Sequence, residues 1–333
     1  MIISVIIPCF QERSTINAVL SQMSEQICDT FELEILVVDG GSTDGTLEIA
    51  ENWKSKDGRI KILNNCQKTA NHAFNLGIEN SLGSHFALIN AHTYYPKNYL
   101  KILWETMQKT GAAGVSGRVI PVLNKNDWES QLIYCISTSP FGVSSESYRM
   151  GKSGFTQSVS LPLFEKKAVE SVGLYHPKLG RNQDNEMNHK LIKAGFTLFV
   201  TNETTASYHP PTSIKNLLKY GLKSGIWNTK TLLLGIPCMK WYHFVPGAFV
   251  FGQILGILFF CLSSHWPFFY PLAASWLIFN WFYLVLALGY SLFHPSAPWK
   301  IKIILPFGFL FFHLSYGIGN LLGLGFKNKN PNF

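Results

Sequence analysis

Val37-Val38-Asp39-Gly40-Gly41-Ser42-Thr43-Asp44-Gly45-Thr46 joins an apolar, β-branched run to a helix-compatible stretch through a glycine-rich turn. Glu34 to Asp39 reads as a buried strand, because a short Ile/Leu/Val run has no polar face to offer water. The glycines that follow let backbone approach a ligand closely. Upstream, Ile3-Ser4-Val5-Ile6-Ile7-Pro8 is a strand ended by proline, and Ser14 to Met23 places Ile16, Val19, Leu20 and Met23 on one helical face. Downstream, a helix runs through Trp53, Ile60 to Asn64 is a third strand, Asn71 to Ser81 a helix, and His85 to Asn90 a fourth strand. This alternation predicts an α/β, doubly wound parallel sheet. Ligands bind such sheets beyond the carboxyl ends of the strands, where Asp39 and Asn90 to His92 fall.

From Gly117 to Gly180 the pattern loosens into a Ser/Gly-rich middle that includes Gly151-Lys152-Ser153-Gly154. Asp184 to Ala194 is again a helix, with Leu191 and Ile192 turned inward. Charge then divides the chain. All 20 acids lie at or before Glu203, against 19 of the 28 basic residues; the remainder carries nine lysines and no acid. An acid-free stretch rich in Phe, Leu and Trp, with lysines flanking apolar runs, points to lipid and away from nucleic acid. Ser213 to Leu234 reads as a basic amphipathic interfacial helix, with Leu217, Leu218, Leu222, Ile226 and Trp227 opposed to Lys215, Lys219, Lys223 and Lys230.

No charged residue occurs from Trp241 to Trp299. Spans are expected near 245–263 and 268–290, with a third segment near 303–326, each about long enough for ~30 Å of hydrocarbon. The expected organisation is a catalytic domain over 1–212, an interfacial helix or linker over 213–240, and a membrane region over 241–326. Lysines 215–240 and Lys300/Lys302 place the first domain on the cytosolic side. A full third crossing would carry Lys327 and Lys329 outside, so Ser315 to Asn320 is also readable as a re-entrant or interfacial turn. The N-terminus lacks a basic n-region, and the six scattered cysteines lack metal-type spacing, as for reduced thiols.

Three polar elements converge at the strand ends. Asp39, with Pro8 to Glu12, can accept a hydrogen bond from a nucleobase N–H or a ribose hydroxyl, although Asp-Gly-Gly-Ser is also an ordinary turn. It is not a dinucleotide fingerprint. Asn90-Ala91-His92 offers ligands at i and i+2 to a divalent ion on a diphosphate, His suiting Mn²⁺ better than Mg²⁺. Gln183-Asp184-Asn185-Glu186 opens a helix, where an acid is either a favourable N-terminal charge or a general base.

Together these elements resemble the family 2 glycosyltransferases of the GT-A fold. Ser139-Pro140-Phe141-Gly142, Tyr148-Arg149, Tyr208-His209-Pro210 and His313-Leu314-Ser315-Tyr316-Gly317 are similar to the succinoglycan-type exopolysaccharide glucosyltransferases. The resemblance implies inverting hexose transfer from a UDP-sugar to a lipid-linked or polysaccharide acceptor. It assigns Asp184 as base, with Gln183 and Glu186 on the acceptor side. Pro8, Phe10, Glu12, Asp39, Gly41, Ser42 and Lys68 fall to the nucleotide sugar. Asn90 and His92, joined by His209, would hold Mg²⁺ or Mn²⁺. A multi-pass protein of a bacterial-type plasma membrane, with a cytosolic catalytic domain, follows. Three positions depart from the pattern: Asn90 stands where an Asp begins the metal motif, Gln183 where a Glu precedes the base, and Val143-Ser144 follow Gly142. A binding module descended from such an enzyme is the alternative reading.

Overall fold

The computed structural model describes residues 1–27, 29–123, 125–142 and 153–325. Val143-Ser144, Tyr148-Arg149, Gly151-Lys152, Lys327 and Lys329 lie outside them. The described residues form two compact units, one from 1–120 and 153–209, the other from 121–142 and 210–325.

The first unit is built on strands β1 (Ile2–Cys9), β2 (Glu32–Asp39), β3 (Ile60–Asn64) and β4 (His85–Leu88), separated by helices α1 (Ile16–Ser24), α2 (Thr46–Lys54) and α3 (Ala70–Asn80). These four strands are parallel, in spatial order β3-β2-β1-β4. Alternate residues feed two cores. Val5, Ile7, Ile35 and Val37 pack with α1 residues Ile16 and Leu20 on one face, whereas Ile6, Leu36 and Val38 pack with α3 residues Ala73 and Ile78 on the other. Burial on both faces is why the strands read as continuous apolar runs. Polar groups lock their amino-terminal halves. The buried Glu34 carboxylate accepts from the Ser4 hydroxyl (2.6 Å) and the Leu82 N–H (2.9 Å), and pairs with Lys61 (2.7 Å).

The parallel expectation holds only for this half of the sheet. The order continues β8 (Leu163–Glu165), β6 (Gly114–Pro121), β9 (Leu198–Tyr208) and β5 (Thr93–Tyr94), with β7 (Gly154–Thr156) also paired to β9. The β4–β8, β8–β6, β9–β5 and β9–β7 pairs are antiparallel. Strands of two or three residues carry too little alternation to be read from sequence, so the "loose" middle is in fact partly ordered sheet. Three helices complete the unit: α4 (Tyr99–Thr110), α6 (Lys166–Ser171) and α7 (Gln183–Lys193). Leu191 is fully buried and Ile192 partly so.

The second unit holds α5 (Trp128–Thr138), α8 (Ile214–Leu233), α9 (Val245–Ser263), α10 (Tyr270–Leu292) and α11 (Trp299–Leu324). α5 is capped by the Asp127 side chain, which accepts the Ser130 N–H at 2.7 Å. His313 donates from Nε2 to the Phe141 carbonyl (2.9 Å) and accepts at Nδ1 from the Tyr283 hydroxyl (3.0 Å). Trp241–Ser263, Pro267–Leu292 and Trp299–Leu324 are long and apolar enough to cross a membrane, with mean hydropathies of 2.1, 1.7 and 1.6.

Two expectations change here. Ser315 to Asn320 makes no re-entrant turn, because α11 continues unbroken to Leu324. On α8 the expected apolar face is only partly buried, at Leu217 and Trp227; the contact with α11 runs instead through Gly221, Gly225 and Thr229, set against Phe312, Gly319, Asn320 and Gly323. A Cβ on Gly225 would run into the Tyr316 carbonyl, so the backbones meet directly. Polar bonds cross this seam, from Thr229 to the Asn320 carbonyl (2.9 Å) and from Ser315 to the Leu218 carbonyl (2.5 Å). Small residues plus polar links are the usual means of close helix contact in lipid.

Glu34→Ala should cost ~3 kcal/mol, since it leaves Ser4 and the Leu82 amide without their buried partner. Native-state hydrogen exchange reads this as roughly 100-fold lower protection in β1 to β3, with α9 to α11 unchanged.

Candidate active site

At the carboxyl end of β2 the Asp39 carboxylate turns onto its own loop. Oδ2 accepts the N–H groups of Gly41 and Ser42, both at 2.9 Å, and Oδ1 accepts the Ser42 hydroxyl at 2.6 Å. Asp39 is 4% exposed. The turn needs left-handed backbone at Gly41 (φ 80°) and Gly45 (φ 103°), which glycine supplies without strain. The segment after β1 zips onto the same loop. Gln11 N–H donates to Ser42 Oγ (3.0 Å), Glu12 N–H to Thr46 Oγ1 (2.8 Å) and Arg13 N–H to Asp44 (3.1 Å). Pro8 is half-buried in β1, and Phe10 is 48% exposed with its ring against Gly40, where an added Cβ would lie 3.2 Å away. Lys68 reaches over Gly41 from the end of β3, its Cε 3.6 Å from the position a Cβ there would take. The Cys9 thiol lies 3.6 Å from Asp39 Oδ1; burial, then the Asp39 charge, push it far above the usual thiol range and favour the neutral thiol.

Beyond β4, Asn90 is half-buried, its N–H bonded to the Tyr95 hydroxyl (2.9 Å), and His92 is exposed. His92 Nδ1 lies 3.1 Å from Glu12 Oε1, while Thr15 donates to Glu12 Oε2 at 2.9 Å. Burial works to raise the Glu12 carboxyl, but the bonds from His92 and Thr15 outweigh it and hold the group below its ordinary range. The Glu12 hydrogen bond, opposed by burial, lifts His92 above 6.5.

The remaining elements come to the same end of β4 through pairing. Ala87 pairs with Leu163, and Leu88 N–H bonds the Pro162 carbonyl, which brings the segment holding Ser160 to the end of β4. Ser160 donates to Asp184 at 2.8 Å. Asp184 sits in the first turn of α7, behind Asn182 in left-handed conformation (φ 70°). On the far strand Thr93 pairs with Tyr208, and the exposed His209 follows Tyr208. Gln183 is half-exposed beside Asp184. Glu186 is not on an open acceptor side: it is 1% exposed and paired with Lys190, because two residues along a helix reverse the facing direction. Ser160 was not legible in the sequence, since nothing marks a lone serine 24 positions away as the partner of an acid. Among the described residues, no three His, Cys, Asp or Glu side chains gather as a ready metal cluster.

Residues 4–171, half of the chain, match the family model for Glycosyl transferase family 2. The chain belongs to this family. The transferase is 29% identical to the dolichyl N-acetyl-alpha-D-glucosaminyl phosphate 3-beta-D-2,3-diacetamido-2,3-dideoxy-beta-D-glucuronosyltransferase of Methanococcus voltae, over 81% of this chain and 84% of that one. It is also 29% identical to the succinoglycan biosynthesis protein ExoA of Rhizobium meliloti, over 62% of each. Its fold matches the mannosyltransferase PcManGT from Pyrobaculum calidifontis, solved with GDP-Man and Mn²⁺, with a TM-score of 0.62 at 15% identity over 96% of this chain and 86% of that one. The GT-A fold and an enzyme of the nucleotide-sugar-dependent class are thereby established.

The Glu12–His92 pair holds between the two pKa values: the Glu12 share fades as pH falls through its lowered pKa, the His92 share as pH rises through its raised one. In an NMR titration His92 should titrate above 6.5, and Glu12→Gln should return it toward 6.5 or below. An unmoved midpoint would remove the pairing.

Proposed function

We propose that the transferase moves a hexose, with inversion, from a UDP-sugar to a lipid-linked or polysaccharide acceptor at the cytosolic face of a bacterial-type plasma membrane. The observation that carries this reading is the Ser160-held Asp184 carboxylate beside the β4 end, where the Asn90 and His92 segment meets the loop fixed by Asp39. Asp184 takes the proton from the acceptor hydroxyl as its oxygen attacks the anomeric carbon opposite the leaving diphosphate. Ser160 fixes the carboxylate's direction by donating to it at 2.8 Å. Phe10 and the Asp39 loop hold the nucleoside, and Lys68 faces the diphosphate. The three apolar helices support a membrane-confined acceptor, and the named lipid-phosphate substrate of the Methanococcus relative is in keeping with it.

The donor set suits a divalent cation that arrives on the nucleotide rather than a resident one. With Nδ1–H directed to Glu12, His92 presents Nε2, the neutral Asn90 precedes it by two residues and His209 follows Tyr208, the partner of Thr93, while both Glu12 oxygens are already engaged. Diphosphate oxygens would complete the shell, as is common for Mg²⁺ and Mn²⁺. Such an ion supplies charge neutralisation of the leaving diphosphate.

With radiolabelled UDP-sugars, lipid extract and Mg²⁺ or Mn²⁺, Asp184→Asn should lower transfer by ~10²–10⁴-fold while UDP binding persists. Undiminished transfer would place the base elsewhere. Wild-type protein that binds UDP yet neither transfers nor hydrolyses the donor would favour the binding-module reading. Asn90→Asp should tighten Mn²⁺ binding in the presence of UDP, measured by calorimetry; an unchanged titration would remove Asn90 from the metal site.

A further inference from the structure

Length and hydropathy would let three helices cross a bilayer, but packing sets α11 apart from α9 and α10. α9 and α10 form an antiparallel hairpin, with Phe249 against Tyr283 and Phe259 against Phe269. The outer half of this hairpin covers only itself: from Phe251 to Phe282 its helices bury Gly256, Ser263 and Ala273 alone. α11 meets the hairpin at its base. Lys302 lies at Ser291, His313 at Tyr283, and Gly317 and Asn320 at Pro246, Val250 and Gly247. From Lys302 to His313 it follows the inner half of α10 from Ser291 to Tyr283, and beyond His313 it meets the start of α9, never the outer half of either helix.

α8 sharpens the point. It runs parallel to α11, with Leu218 at Ser315 and Thr229 at Asn320, and Gly221 packs on Phe312 in the middle of α11. Lys215, Lys219 and Lys223 stand exposed on the outer side of α8. If α11 spanned, Lys219 and Lys223 would sit near the bilayer centre, where charged side chains are costly and rare. The exposed residues of α11 point the same way: Ile303, Phe307, Phe311, Ile318 and Leu322 recur at four- and seven-residue steps as one apolar stripe. The α8–α11 pair thus exposes lysines from α8 and an apolar stripe from α11.

We propose that only the α9–α10 hairpin crosses the bilayer, and that α11, with α8 seamed to it, lies in the plane of one leaflet, its Ile303–Leu322 stripe in the acyl boundary of anionic lipid. α9, at 19 residues, is about 28 Å long, enough for the hydrocarbon core. The stretch after Glu203, which carries lysines and no acid, matches an anionic headgroup layer. The in-plane arrangement rests on the bilayer placement proposed above, not on the sugar chemistry.

The test places a fluorescent amino acid singly at Ile303, Phe311 or Leu322, and at Val245 or Phe260, in full-length protein reconstituted into phosphatidylglycerol vesicles. Lipids brominated at known depths then quench it. The three α11 positions should report one shallow depth, while the α9 pair reports depths set by a crossing helix. A graded α11 series, with 303 and 322 about 28 Å apart along the helix, would overturn the proposal and leave the membrane placement standing. No quenching at any position would overturn both.

Discussion

Asp39 spends its carboxylate on the loop that follows it, and the candidate site is built around that loop. Three hydrogen bonds from Gly41 and Ser42 fix a turn that two left-handed glycines make sterically allowed. Gln11, Glu12 and Arg13 then bind to the fixed loop, so the segment leaving β1 has one path available. That path positions Glu12 to meet His92 from beyond β4. A carboxylate that also contacts a nucleoside must do so with remaining lone-pair capacity, and four such sites against three strong donors leave some. The loop's shape is as much its contribution as any direct contact with ligand.

The second organising feature is the switch from parallel to antiparallel pairing at β4–β8. Parallel strands bring β1, β2 and β4 to a common carboxyl edge. The antiparallel partner then brings Ser160 back to the same edge from a distant part of the chain, and Ser160 orients Asp184. Asp184 is carried by a helix start. Its direction comes from the sheet.

How much of this the sequence displays depends on the size of the signal each element carries. β1 to β4, α1 to α3 and α7 are legible because burial on one or two faces writes itself into runs of several residues. Asp39, Asn90, His92 and Asp184 are legible as polar residues at the ends of such runs. The strands β5, β7 and β8 are too short to leave a pattern, and α5 hides in a stretch whose apolar residues are consecutive rather than spaced. Ser160 has no local mark at all. Glu186 misleads because four consecutive polar residues look alike in sequence, whereas a helix turns the fourth of them inward. In the second unit, hydropathy identifies apolar helices but says nothing about direction; the glycine seam between α8 and α11 becomes visible only when the two backbones are seen together.

The central claim is that the nucleotide sugar sits on the Asp39 loop, at the joint carboxyl ends of β1, β2 and β4. Hydrogen exchange of the full-length transferase with and without saturating UDP addresses it directly. Slowed exchange confined to residues 9–13, 40–46 and 90–93 is the predicted result. Equivalent UDP binding with protection elsewhere, and none in these three segments, would contradict it.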